Sequence, residues 1–119
     1  MLSASCRDED VLLSKPGEPI QPVSNLGSSF FGPDVILTWE LPQDYPDDVV
    51  QPVSVMVRVT IDGHNEGDVI LENAPTSYTH PGYDPAKAYK FTVKVRGEVE
   101  TDDPAESDLR YSLGQTVNL

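Results

Sequence analysis

The chain has 119 residues, 38% of them hydrophobic, and a formal net charge of −12 from 20 acidic and 8 basic side chains. That length suits one domain that closes a single core without a metal, and the lone cysteine, Cys6, excludes an internal disulfide. So large an excess of acid is repelled by nucleic acid and anionic membrane surfaces, which excludes both as partners.

No apolar run is long enough to span a bilayer. Met1 to Asp10 lacks the basic region and apolar stretch of a signal peptide. The 11 prolines and 8 glycines fall between short apolar runs, the pattern of an all-β protein with many turns. No long 3.6-residue period argues for helix.

Residues 1–18 are polar and charged apart from Val11-Leu12-Leu13 and read as a tail or linker. The domain is expected over 19–119. Pro19 to Leu26 alternates and carries two prolines, which suits a first, edge strand. Val35 to Leu41 places Val35, Leu37, Trp39 and Leu41 on one face. A loop, Gln43 to Asp48, leads to Val53–Ile61, whose Val53, Val55, Val57, Val59 and Ile61 share a face opposite Ser54, Met56, Arg58 and Thr60.

Asp62-Gly63 marks a tight turn. Short strands follow at Val69–Leu71 and Thr76–His80. Tyr89 to Arg96 alternates strictly, with Tyr89, Phe91, Val93 and Val95 on one side and Lys90, Thr92, Lys94 and Arg96 on the other. Gly97 to Ser107 reads as a long acidic loop, and Leu109–Val117, interrupted by Gly114, as the last strand. The sum is seven strands in a two-sheet sandwich, with the inward faces supplying a core about 10 Å thick.

Certain residues resemble those of a fibronectin type III domain from about Pro19 to Leu119. They are Pro22, the run Leu37-Thr38-Trp39-Glu40-Leu41-Pro42, and Tyr83-Asp84-Pro85-Ala86-Lys87-Ala88-Tyr89. The resemblance implies a seven-stranded immunoglobulin-like sandwich. It also implies a tyrosine corner, with Tyr83 in the family's Leu position and the Tyr89 hydroxyl bonded back to the loop backbone. The sequence departs from the family at Val53, at His80 and at Pro81.

No nucleophile motif, phosphate loop or zinc spacing occurs, so no catalysis, cofactor or metal is expected. His64 reads as an exposed turn residue. His80 reads as a core-edge residue, with pH sensing as its sharper alternative. Asp44, Asp47 and Asp48 lie in one loop, and Glu98, Glu100, Asp102, Asp103, Glu106 and Asp108 in or beside another. Sandwich topology would gather them into one acidic pole, read as solvation with a calcium site or a site for a basic partner as the alternatives.

Arg58, Lys90, Lys94, Arg96 and Arg110 are expected on the outer face of one sheet. They would form either a solvated exterior or a docking face for an acidic partner or neighbouring domain. Arg96-Gly97-Glu98 sits where some members of the resembled family carry an adhesion tripeptide, but its third residue differs. Asn25, Asn65 and Asn73 start no glycosylation acceptor.

The resemblance implies a non-catalytic interaction or spacer module, monomeric in isolation and binding protein. It would be extracellular within a larger adhesion, matrix or receptor protein. An intracellular spacer and an accessory domain of a larger enzyme stay open. A flat aromatic strip would favour the last, with the loop residues Phe30, Phe31 and Tyr45 as its candidates.

Overall fold

Alternation along the strands decides which faces meet, and the sheet pairing follows it. The computed structural model describes residues 19–100 and 108–119. The expected tail at 1–18, and Asp102, Asp103 and Glu106, lie outside the described residues. The strands are β1 (Ser24–Phe31), β2 (Asp34–Glu40), β3 (Val49–Ile61), β4 (His64–Leu71), β5 (Ser77–His80), β6 (Tyr89–Val99), β7 (Leu109–Tyr111) and β8 (Gln115–Asn118). No helix occurs among the described residues.

The strands form two antiparallel sheets. One runs β1-β2-β5; the other runs β4-β3-β6-β7, with β8 also paired to β6. Val35, Leu37 and Trp39 of the smaller sheet pack in one cluster with Val53, Val55, Val57, Val59, Tyr89, Phe91, Val93 and Val95 of the larger. Both anchor rings are inside, Trp39 and Tyr89 each at 4% exposure. A buried polar tip needs a partner. The Trp39 indole donates to the Pro75 carbonyl at 2.9 Å, and the Tyr89 hydroxyl accepts the Asp84 N–H at 3.0 Å.

Antiparallel pairing puts the β1–β2, β3–β4 and β5–β6 connections at one end and β2–β3, β4–β5 and β6–β7 at the other. The first end is tied by Tyr83 N to Pro33 O at 2.8 Å and Asp62 N to Ala88 O at 2.8 Å. The second is tied by Ala74 N to Val53 O at 2.7 Å and Glu100 N to Asp48 O at 2.9 Å.

Several boundaries differ from expectation, each for a local reason. The first strand is Ser24–Phe31, not Pro19–Leu26. Pro19 and Pro22 lack the donor a ladder needs, although Ile20 and Val23 still enter the core. Phe30 and Phe31 are strand residues, not loop residues. The two-residue connection Gly32-Pro33, with Gly32 at φ 61°, closes a hairpin directly onto Asp34.

β3 starts at Val49 because a bulge between Val50 and Ser54 takes Pro52 out of the ladder with β6. Asp62 and Gly63 both adopt positive φ, 52° and 81°, giving the expected tight turn. That turn lets β4 begin at His64, well before Val69.

β6 continues to Val99, so Gly97 is a strand residue. A Cβ there would stand 2.8 Å from Ile20 Cδ1 and 2.9 Å from Val49 Cγ1. The last expected strand is two, which makes eight strands among the described residues rather than seven. Ser112 takes the break: its N–H donates to the Val95 carbonyl and its hydroxyl accepts the Val95 N–H, each at 2.9 Å. Gly114 follows, where a Cβ would stand 2.6 Å from Thr92 Cγ2.

Candidate functional site

Six inward positions of β6, from Tyr89 to Val99, are buried, so Lys90, Thr92, Lys94, Arg96 and Glu98 point outward. Strand register sets their neighbours. Lys94 lies level with Met56 and Ile70, Thr92 with Arg58, Asp68 and Thr116, and Arg96 with Ser54 and Tyr111. The outer face of the larger sheet therefore carries a basic column along β6, Lys90, Lys94 and Arg96, bounded at its far end by Glu98 and with apolar groups on both flanks. Ile70 and Tyr111 are exposed at 41% and 42%, while Met56 between them is covered.

The bases differ in how far they are engaged. Arg58 meets Asp68 through two hydrogen bonds, at 2.9 and 3.2 Å. That contact, helped by the charges of Arg58 and Lys94, holds the Asp68 carboxyl below the usual carboxylate range. The pair is largely solvated, so it adds little stability.

Arg96 donates to the Ser54 hydroxyl at 3.1 Å, and that hydroxyl donates to the Arg96 carbonyl at 3.0 Å. This fixes the guanidinium against the sheet without neutralising it. Lys90, Lys94 and Arg96 have no salt bridge among the described residues.

Arg110 does not join this face. It stands opposite Gly97, on the inward side. There its guanidinium grips Asp48 with two hydrogen bonds, at 3.0 and 2.8 Å. Their side chains are 17% and 13% exposed. The expectation of five outward bases thus reduces to four, Arg58, Lys90, Lys94 and Arg96, of which Arg58 is already paired.

The same contact corrects the acidic pole. Asp48 is neutralised by a base expected on the opposite face of the sheet, while Asp44, Asp47, Glu98, Glu100 and Asp108 remain at that end. No group of three or more His, Cys, Asp or Glu side chains is placed to hold a metal ion among the described residues. Arg96-Gly97-Glu98 lies inside β6 rather than on a loop.

Arg110 departs from expectation because alternation does not run unbroken through Gly114. The break at Ser112 shifts the faces, and only the pairing with β6 reveals it. Alternation alone sets Met56 outward. It does not bring Ile70 beside it, because β4 starts five residues before the apolar run Val69–Leu71 that signals a strand.

Over residues 6–119 the sequence matches the family described as a domain of unknown function, DUF4945. The chain belongs to the DUF4945 family. No curated protein matches it.

At the opposite end of this DUF4945 domain the aromatic side chains gather. Tyr83 lies 4.8 Å from Tyr89 and 5.0 Å from Phe30, ring centre to ring centre. Phe31 is 74% exposed. Tyr45 sits at the other end of β2, a strand of seven residues, roughly 20 Å away. Phe30, Phe31 and Tyr45 therefore form no common strip.

His64 is exposed as expected, though it opens β4 rather than lying in the turn. His80 packs edge-on against Tyr89 and Phe91, at 5.8 and 5.4 Å. Its Nδ1 lies 3.3 Å from the Tyr78 hydroxyl. Burial holds the imidazole pKa below its usual value.

The unfolded chain therefore takes up the proton first as pH falls. His80 leaves stability untouched above about 6.5 and subtracts from it below, as pH approaches the depressed native value. In the DUF4945 domain, His80→Gln is expected to lose less stability than the wild type between about pH 7 and pH 5. Urea midpoints at the two pH values check this; identical losses would remove His80 as a source of acid sensitivity.

Proposed function

We propose that the chain is a non-catalytic interaction and spacer module. It is an immunoglobulin-like sandwich of the fibronectin type III kind, working within a larger adhesion, matrix or receptor protein. The observation that carries this reading is the sheet arrangement, β1-β2-β5 facing β4-β3-β6-β7, with the Tyr89 hydroxyl bonded back to Asp84 ahead of β6. The bonded hydroxyl has the geometry of a tyrosine corner. The split β7 and β8, both paired to β6, act together as one final strand broken at Ser112.

Two further features support a module that joins and docks. Ile20 packs against Gly97 and Val49 near the end of the β2–β3 loop, whereas Leu119 pairs with Tyr89 at the other end. The contacts of Ile20 and Leu119 thus lie at opposite poles of the sandwich, an arrangement that supports the spacer reading. The basic column on the larger sheet gives the domain a face unlike the rest of an acidic surface.

Lysine-directed crosslinking of the protein in its own cells tests the reading. The lysines are Lys15, Lys87, Lys90 and Lys94. Links from Lys90 and Lys94 to another polypeptide or an adjoining domain are expected. If both react only as solvent-exposed amines while the protein turns over a small-molecule substrate, the module reading fails.

A further inference from the structure

Resting on the module reading, we propose that the outer face of the larger sheet docks an acidic polypeptide segment carrying apolar side chains, laid along β6. Charge complementarity selects the sign of the partner. Lys90, Lys94 and Arg96 stand in one column without a salt bridge among the described residues, on a chain whose net charge is −12. The rest of the molecule repels an acidic partner, so such a partner is steered to this column.

Spacing selects an extended segment. Outward neighbours on a strand repeat about every 6.6 Å, which is also the spacing of every second side chain in an extended peptide. Carboxylates at alternate positions meet Lys94 and Arg96 together. Arg96 is held ready by its bond to Ser54, so little side-chain freedom is lost on binding.

The flanks select a polypeptide over a sulfated glycan. Ile70 and Met56 lie level with Lys94 on one side, and Tyr111 lies level with Arg96 on the other. Exposed Ile70 and Tyr111 offer apolar area that a peptide's aliphatic side chains cover and a glycan's hydroxyls and sulfates do not. The neutral Arg58–Asp68 pair beside them adds no net charge and marks the border of the column.

The test uses the full chain and three probes followed by fluorescence anisotropy. They are a labelled peptide alternating glutamate and leucine, the same peptide with glutamine for glutamate, and a labelled heparin hexasaccharide. The glutamate peptide is expected to bind, to weaken with added salt, and to weaken roughly tenfold or more in Lys90→Glu/Lys94→Glu. Ile70→Ser and Tyr111→Ser should weaken it about threefold or more with the salt slope unchanged.

Equal binding of the glutamine peptide, tighter binding of heparin, or indifference to both sets of variants overturns the proposal. So does a dimer of the chain that Lys94→Glu dissolves, since a second copy would then be the occupant. Thermal melts of each variant show that the fold is retained. If Lys90 and Lys94 crosslink to a protein in cells while the glutamate peptide does not bind, the module reading stands and the acidic, apolar character of the partner falls.

Discussion

Trp39→Ala is expected to destabilise the protein by about 3–5 kcal/mol, the range for deleting a large buried aromatic side chain and leaving a cavity. Trp39 lies between the sheets at 4% exposure and joins the cluster that holds Leu37, Val55 and Phe91. The truncation also strands the Pro75 carbonyl, which receives the indole N–H at 2.9 Å. That carbonyl belongs to the β4–β5 connection, beside the Trp39 N to Thr76 O bond, so the loss spreads from packing to the turn.

Small domains are stable by only about 5–15 kcal/mol, so the variant should unfold at much lower urea. Circular dichroism must follow the melt, because Trp39 is the sole tryptophan. Wild-type stability would mean that the two sheets do not share one core around this ring.

Asp48→Ala is expected to destabilise by about 3 kcal/mol, as when one partner of a buried ion pair is removed. The cost arises from the loss of both hydrogen bonds to the Arg110 guanidinium, which is mostly covered beneath the larger sheet. Replacing both partners, as in Asp48→Leu/Arg110→Met, should recover most of that loss, because both largely covered charges are then removed together and replaced by apolar groups.

An exposed carboxylate of the same loop gives the contrast. Asp44→Ala should change stability by about 0.5 kcal/mol or less. Urea titrations of the four proteins check the series. Equal, small effects at Asp48 and Asp44 would show the Arg110 contact to be solvated and energetically idle.

How much of the fold was legible in the sequence depended on local chemistry. In β2, β3 and β6 a period of two over long apolar runs left one pairing face, and Trp39, Val57 and Phe91 fell where alternation put them. Asp62-Gly63 announced its turn because both residues tolerate positive φ. Gly32-Pro33 carried a comparable signal, glycine at the first position of a two-residue turn, which would have placed Phe30 and Phe31 in β1.

Other features had no local signature. Nothing in the residues around Gly97 predicts that Ile20, 77 positions earlier, lies against it. Nor does the spacing of Ser112 and Gly114 state that a serine hydroxyl substitutes for a ladder bond with Val95.

By itself the sequence determined an all-β chain, the inward-facing side chains of its central strands, the burial of Trp39 and Tyr89, and the outward column Lys90, Lys94 and Arg96. These follow from periodicity, which is a property of neighbours along the chain. Only the tertiary structure decided that Arg110 turns inward to Asp48, that Arg58 is taken up by Asp68, and that Ile70 and Tyr111 border the basic column. Those outcomes depend on register between strands, where a slip of one residue exchanges the two faces, and register is fixed by bulges and close approaches between distant segments.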